Sequence, residues 1–195
     1  MKKVLGANYF NKPTVEVAKN LLGKFLVRKV GRRTYALMIT ETEAYDGFKD
    51  RASHAHRGKT ARNYPMFGEA GKWYVYFTYG MHWMLNMVTG EKNYPAAVLI
   101  RAAAFVNING GICVYIREIN GPARLTKFLK IDKNLSNKKA NKKTGLWIED
   151  RGIKIFPNQI TKSPRIGIRY AGEIWGKKNY RFYLANKNKI VYKRH

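Results

Sequence analysis

The sequence is poor in cysteine and in long apolar runs, and each shortage excludes a class of protein. Cys113 is the only cysteine in 195 residues, so no internal disulfide can form and no Cys/His cluster has zinc-site spacing. No stretch approaches the roughly 20 apolar residues of a membrane-spanning helix. The first 23 residues lack the apolar core of a signal peptide. We therefore expect a protein of the reducing cytoplasm, with no membrane partner.

Acidic side chains are also scarce, and this leaves a very large positive charge. There are 12 Asp and Glu residues against 38 Lys and Arg residues, which gives a formal charge of +26. This charge exceeds what solubility requires and indicates a polyanionic partner, nucleic acid before an anionic membrane surface. The alternative is a layer of solvated lysines without a specific partner. The length, and a hydrophobic fraction of 45%, predict one packed domain over residues 1–195.

Hydrophobic periodicity predicts a mixture of helices and antiparallel strands, which makes the fold class α+β. Helices are predicted at residues 13–22 and 122–129, where a proline stands at an early helical position. Strands are predicted at residues 24–30, 34–45, 96–103, 146–148, 153–156, 166–170 and 181–184. Residues 46–71 and 135–144 are predicted loops. Residues 73–78 and 81–88 predict a hairpin whose turn is Tyr79-Gly80.

Two carboxylates stand out on the strand predicted at residues 34–45. Strict alternation would place on one face Tyr35, Leu37, Ile39, Glu41, Glu43 and Tyr45. Glu41 and Glu43 would then be about 7 Å apart, by the rise of a strand. Carboxylates held that close in a cleft perturb each other's ionisation, and one of them can serve as a general base. The alternative is that both lie on a solvated edge or pair with lysines.

Aromatic side chains supply a second set of candidates. Tyr45, His54 and Tyr76 carry flat rings that can sandwich a base extruded from a duplex. The alternative is that Tyr76 belongs to the core and His54 to a loop. Tyr79, at the tip of the predicted hairpin, can wedge between base pairs, or can fold back on its own hairpin. No histidine spacing supports a metal site, so no metal and no other cofactor is predicted.

An ordered set of motifs carries a family resemblance over nearly the whole chain. The motifs are Glu41-Thr42-Glu43-Ala44-Tyr45, His54, Thr60, Arg62-Asn63, Met66-Phe67, Gly71, Tyr74-Val75-Tyr76, Tyr79-Gly80-Met81, Asn86, Leu99-Ile100-Arg101-Ala102, Gly121-Pro122, Leu125, Arg165-Ile166-Gly167, Ala171-Gly172-Glu173 and Arg181-Phe182-Tyr183. Together they resemble the alkyladenine, or 3-methyladenine, DNA glycosylases, in a compact bacterial-type form. The resemblance implies a single domain with a curved antiparallel β-sheet, surrounding helices and a protruding β-hairpin. Residues 105–119 depart from the family pattern.

The resemblance also implies roles in catalysis and base binding. Glu43 is expected to be the general base that deprotonates the attacking water. Arg101 is expected near that water and the phosphate of the target nucleotide. Tyr45, His54 and Tyr76 are expected to bracket the flipped base.

Four further residues are implied to recognise the base and the DNA. Asn86 is expected to crowd out the 2-amino group of guanine, and Tyr79 to fill the gap that the flipped nucleotide leaves. Met81 and Arg62 are weaker candidates for contacts with the DNA backbone.

The function implied by the resemblance is base-excision repair. The enzyme would flip alkylated, and also deaminated, purines out of duplex DNA and hydrolyse the N-glycosidic bond. We expect a monomer that acts on the bacterial nucleoid without a cofactor. Two alternatives stay open: a non-catalytic basic nucleic-acid-binding protein, and a metal-dependent nuclease that uses Glu41, Glu43 and either Asp46 or Asp50.

Overall fold

Antiparallel strands form one curled sheet in the computed structural model, which describes residues 2–109 and 112–185. The strands in these ranges are β1 (Lys3–Val4), β2 (Phe25–Val30), β3 (Arg33–Asp46), β4 (Trp73–Thr78), β5 (His82–Val88), β6 (Ala96–Asn109), β7 (Ile112–Asn120), β8 (Leu146–Asp150), β9 (Ile160–Ser163) and β10 (Arg181–Leu184). The α+β prediction with an antiparallel sheet is confirmed.

Two long strands, β3 and β6, organise the sheet because each changes partner along its length. The main strand order is β1-β8-β2-β3-β6-β5-β4. β2 pairs with β3 as far as Met38, and β10 takes over opposite residues 41–43. β5 pairs with residues 97–99 of β6, and β7 pairs with β6 from Ala102 onward. Arg101 therefore lies where β6 exchanges one neighbour for another, and β3 and β6 pair irregularly between residues 39 and 42.

Short helices pack on the curled sheet. They are α1 (Ala7–Phe10), α2 (Thr14–Asn20), α3 (Pro122–Phe128) and α4 (Gly172–Lys177). α2 buries Val17 and Ala18 against β3 and β6, and α3 packs on β5 and β6. The principal core cluster extends from Leu5 to Leu184, so one core includes both ends of the described chain. No helix within these ranges is long and apolar enough to cross a membrane.

The predicted hairpin is confirmed as β4 and β5. Its turn closes when the Met81 amide donates to the Thr78 carbonyl at 3.2 Å. Tyr79 and Gly80 both have positive φ angles, +52° and +64°, as a type I′ turn requires. A left-handed conformation costs a non-glycine residue about 1–2 kcal/mol. The Tyr79 side chain is 79% exposed, so its ring does not fold back onto the hairpin.

Most other predicted elements are confirmed within a few residues, but two predicted strands are wrong. Residues 153–156 have no strand partner within the described chain, and their apolar alternation arises because Ile153 and Ile155 pack beside Gly23 on the core. Residues 166–170 form a turn around Gly167, whose φ angle is +78°. The Ile166 amide donates to a carboxylate rather than to a neighbouring strand.

The segment at residues 105–119, which departs from the family pattern, extends the sheet. β6 continues to Asn109, where a strand was predicted to end at Ala103, and β7 returns beside it. Strand β9 was not predicted. It is short and half-exposed, and it has no alternation to reveal it.

Replacing a core residue of β3 should test how strongly the sheet depends on that strand. Ile39 is fully buried, so Ile39→Ala should lower the free energy of unfolding by about 2–5 kcal/mol through lost burial and a cavity. Ile116 on β7 is 66% exposed, so Ile116→Ala should change it by about 0.5 kcal/mol or less. Urea unfolding followed by circular dichroism measures both. Equal losses would contradict the central place of β3.

Candidate active site

A cleft of about 890 Å³ opens where the β4–β5 hairpin, β6 and the loops at residues 51–62 and 166–170 meet. Seven of the nine predicted site residues line it: Tyr45, His54, Arg62, Tyr76, Tyr79, Asn86 and Arg101. The two others are outside its lining. Met81 is 68% exposed beside the hairpin tip, and Glu43 is completely buried. The fold thus brings together residues that are far apart in sequence. Of the seven, Tyr45 and Arg101 are the most distant, 56 positions apart.

Glu43 lies directly behind the wall of the cleft. Its Oε1 accepts a hydrogen bond from the Ile166 amide at 2.8 Å and is 3.3 Å from Nη1 of Arg101. Its Oε2 accepts a hydrogen bond from the Tyr45 hydroxyl at 2.9 Å. Ile166, Arg101 and Tyr45 all line the cleft. Only one layer of side chains and backbone therefore separates the carboxylate from the open space.

Burial raises the pKa of Glu43 above its ordinary value. Arg101, the Ile166 amide and the Tyr45 hydroxyl oppose this effect by stabilising the ionised form, and Glu41 adds to it by repulsion. A carboxylate with a raised pKa is a stronger base than a solvated one, because its proton is held more tightly. The surroundings of Glu43 thus suit proton abstraction from water.

Arg101 connects the two carboxylates. Its Nε donates to Oε1 of Glu41 at 2.8 Å, and the same oxygen accepts from Nε of Arg181 at 2.6 Å. Burial by itself lowers the pKa of Arg101, but Glu43 and Glu41 together outweigh it, so the guanidinium is firmly charged. Within the described residues Glu41 therefore pairs with arginines and not with lysines, and both carboxylates contact Arg101.

Three rings stand together in the cleft. The His54 and Tyr76 ring centroids are 4.6 Å apart in an edge-to-face arrangement, and Tyr74 and Tyr76 are 5.2 Å apart. Nδ1 of His54 is 3.0 Å from the Tyr74 hydroxyl. Partial burial and the nearby charge of Arg62 lower the pKa of His54 to about 4. His54 is therefore neutral at physiological pH, although part of its ring faces solvent.

The hairpin supplies the other polar groups of the cleft. Asn86 is buried on β5, and its Nδ2 donates to the Tyr74 carbonyl at 3.1 Å. Arg62 donates to the Phe77 carbonyl at 2.9 Å, and its guanidinium lies 5.1 Å from the centre of the Tyr76 ring. Arg62 is exposed on the cleft side of the hairpin and can contact an anion.

Sequence reasoning missed the roles of several residues around the site. Asp50 was considered only as a metal ligand, but it forms a buried ion pair with Arg165. Ile166 and Tyr74 appeared only as parts of motifs. The signal for Tyr74 was its alternation with Tyr76, whereas nothing in the sequence links Asp50 to Arg165, 115 positions away.

The same contacts bear on the nuclease alternative. That hypothesis requires Glu41, Glu43 and Asp46 or Asp50 to converge on one ion. In the structure Glu41 contacts two arginines, Asp50 contacts Arg165, and Asp46 accepts from the Tyr94 hydroxyl. Across residues 2–109 and 112–185, no three His, Cys, Asp or Glu side chains stand close enough to hold a metal ion.

Comparison with known proteins gives matches along most of the chain. Residues 8–188 match the methylpurine-DNA glycosylase family. A protein of Methanocella arvoryzae is 42% identical over 190 residues, which cover 94% of this chain and 93% of its own. One from Borreliella afzelii is 42% identical over 185 residues (94% and 96%), and one from Psychrobacter cryohalolentis is 37% identical over 190 residues (89% and 88%). All three are named for 3-methyladenine DNA glycosylase activity.

The raised pKa of Glu43 predicts how the stability of a Glu43→Gln variant depends on pH. The native state binds the Glu43 proton more tightly than the unfolded state, so wild-type stability should fall as pH rises from about 4.5 through the native pKa. The glutamine side chain of the variant does not titrate. The unfolding temperature of the variant, relative to wild type, should therefore increase across that window. A difference that stays constant with pH would contradict the burial effect.

Proposed function

The chain belongs to the methylpurine-DNA glycosylase family, and from the arrangement of its site we propose that Glu43 activates the water that cleaves the glycosidic bond of a flipped purine. The enzyme is a DNA glycosylase for alkylated bases in base-excision repair. The observation that carries the proposal is the position of a buried carboxylate, in contact with Arg101, one layer behind an aromatic cleft.

We propose that the cleft receives the base. The target bond lies inside the duplex, so the nucleotide must leave the stack, which costs a few kcal/mol. Tyr45, His54 and Tyr76 offer rings on which the base can stack. An alkylated purine carries positive charge, and cation–π attraction to the tyrosine rings favours it by about 0.5–2 kcal/mol each. His54 is neutral and so does not repel this cation.

The chemistry follows from the charge that develops on the sugar. A cationic purine is a good leaving group, and the departing base leaves oxocarbenium-like charge on the deoxyribose. Glu43 stabilises that charge and takes a proton from water, while Arg101 orients the carboxylate and approaches the target phosphate. Within the described residues Oε2 of Glu43 accepts one hydrogen bond, whereas Oε1 has two contacts, one with the Ile166 amide and one with Arg101. We therefore assign the attacking water to Oε2.

The hairpin is the proposed DNA wedge. The exposed Tyr79 ring is held on a turn that strains its backbone, and strain of this kind persists where function requires it. Tyr79 fills the gap in the base stack, and Met81 and Arg62 contact the DNA backbone on either side of that gap. Asn86, fixed by the Tyr74 carbonyl, lies in the pocket wall and excludes the 2-amino group of guanine.

The proposed substrate is duplex DNA that contains a damaged purine, bound by a monomer in the cytoplasm, at the nucleoid. The charge of +26 supplies affinity for the backbone without regard to sequence. A non-catalytic nucleic-acid-binding protein would share this property. The two functions differ in whether the base is released.

Glu43→Gln should abolish base release while DNA binding persists. Loss of a general base slows catalysis by about 10²–10⁴-fold. Release of methylated base from an alkylated duplex, assayed with EDTA, measures the rate, and electrophoretic mobility shift measures binding.

The matched control is Glu173→Gln, because Glu173 is exposed, pairs with Lys177 and does not line the cleft. It should keep the wild-type rate. If Glu43→Gln releases the purine at the wild-type rate, Glu43 is not the general base. Loss of wild-type release in EDTA, or cut strands in place of abasic sites, would favour the nuclease.

Tyr79→Ser should weaken capture of a lesion more than general DNA affinity. Stacking of an aromatic ring on a base contributes about 1–3 kcal/mol, or roughly 5–150-fold in affinity. Fluorescence anisotropy with lesion-containing and undamaged duplexes measures both affinities. Tyr64→Ser is a matched control, since Tyr64 is exposed but does not line the cleft. Equal weakening on the two duplexes would count against intercalation.

A further inference from the structure

A buried ion pair between Asp50 and Arg165 lies beside the site without lining the cleft. Both side chains are fully excluded from solvent. Nη2 of Arg165 donates to Oδ1 of Asp50 at 2.8 Å, and Nη1 contacts Oδ2 and donates to the Ala44 carbonyl at 2.8 Å. Nε of Arg165 has no hydrogen-bond partner among the described residues. Removing two charges from water is costly, and apolar residues of the same volume often stabilise a fold as well. Stability alone therefore does not explain this pair.

Arg165 touches both parts of the proposed machinery. Ala44, whose carbonyl it holds, stands between Glu43 and Tyr45 on β3. The next residue in the chain, Ile166, donates its amide hydrogen to Oε1 of Glu43. The Arg165 guanidinium lies 4.8 Å from the centre of the Tyr45 ring. One buried cation is thus in contact with the segment of β3 that carries the proposed general base, Glu43, and the stacking ring of Tyr45.

The rings around Arg165 restrict where a substrate can stack. Its guanidinium is also 5.3 Å from the centre of the Tyr180 ring, so it packs between Tyr180 and Tyr45. Because Arg165 is buried, it closes the Tyr45 face that it covers. A flipped base can use only the face of Tyr45 that the cleft exposes.

Asp50 extends the arrangement to the loop that follows β3. Its Oδ2 accepts from the Asp46 amide at 3.1 Å, and its Oδ1 accepts from the Ala52 amide at 3.0 Å. Ala52 lines the cleft in the loop that leads to His54. The ion pair therefore fastens this loop and the loop of Ile166 to the end of β3, and it does so from the buried side.

We propose that Arg165, held by Asp50, is a positioning residue that sets the Ile166 amide against Glu43 and fixes the Tyr45 ring for stacking. Arg165 touches neither the base nor the water. It acts through Glu43, Ile166 and Tyr45, and the inference rests on the role proposed above for Glu43.

Arg165→Met should slow single-turnover release from a duplex with one 7-methylguanine by about 100-fold, the cost of a misplacement near 1 Å. The acid limb of the rate should also move to higher pH, because the Arg165 charge and the secured Ile166 amide both favour ionised Glu43. The charged or titratable groups facing Glu43 from β3, β4, β6, β10 and the adjoining loops are Glu41, Tyr45, Tyr76, Arg101, Arg165, Tyr170 and Arg181. Arg165→Lys keeps the charge but not the fork, so it should be intermediate in rate and in the shift.

Two further variants separate positioning from stability. Asp50→Asn combined with Arg165→Met removes both charges and keeps one acceptor oxygen, which can serve either the Asp46 amide or the Ala52 amide. Its unfolding temperature should exceed that of Arg165→Met, while its release stays slow. Arg151→Met is the control, since Arg151 pairs with Glu149 and covers Phe25 outside the cleft lining. It should keep the wild-type rate and pH profile.

The outcomes are distinct. If Arg165→Met behaves like the control, or if the double variant regains its rate together with its stability, the positioning role is wrong. The positioning role is also wrong if the release rate falls equally at every pH and in proportion to the fraction of unfolded protein. If Arg165→Met does not fold, the double variant and Arg165→Lys decide. Inactive Glu43→Gln with normal Arg165→Met refutes this inference alone, whereas active Glu43→Gln refutes the role of Glu43 itself.

Discussion

The contact of Arg101 with two carboxylates is the interaction around which the site is built. Glu41 and Glu43 repel each other, and both lie where little water can screen them. Arg101 and Arg181 bring matching positive charge, so the group is electrically balanced even though each member is costly to bury. Arg101 lies within the irregular pairing of β3 with β6, where Glu41 is opposite Ala102 and Thr42 is opposite Ile100. The irregular pairing of β3 with β6 is therefore part of the site.

Much of the fold could be predicted from local pattern. The helix at α2, the long strand β3 and the β4–β5 hairpin follow from apolar periodicity and from the turn residues Tyr79 and Gly80. The two wrongly predicted strands have one cause. Both segments show the alternation of a strand, at Ile153 and Ile155 and at Ile166 and Ile168. Alternation indicates which side chains are packed against the protein, not whether the backbone pairs with another strand. Their neighbours are the core or the cleft wall, and a sequence pattern does not distinguish these from another strand.

The candidate site was predictable to a similar degree. Acidic residues are scarce in this chain, so few carboxylates compete for a catalytic role, and the family motifs select Glu43. The full burial of Glu43 and the involvement of Ile166 were not predictable. A backbone amide has no sequence signature, and the Asp50–Arg165 pair depends on contact between distant loops. Residues that offer rings or charges to the cleft can be recognised from their side-chain type. Residues that position those groups cannot be recognised in this way.

The arm of the sheet at residues 105–119 has a consequence for how such proteins diverge. From Phe105 onward, β6 pairs only with β7 among the described strands, while the portion that carries Arg101 stays fixed to β3. Substitutions at exposed positions of the arm, such as Val114 and Ile116, therefore need not displace Arg101. Such substitutions leave the residues of the site unchanged, and we expect related sequences to differ most at these exposed positions.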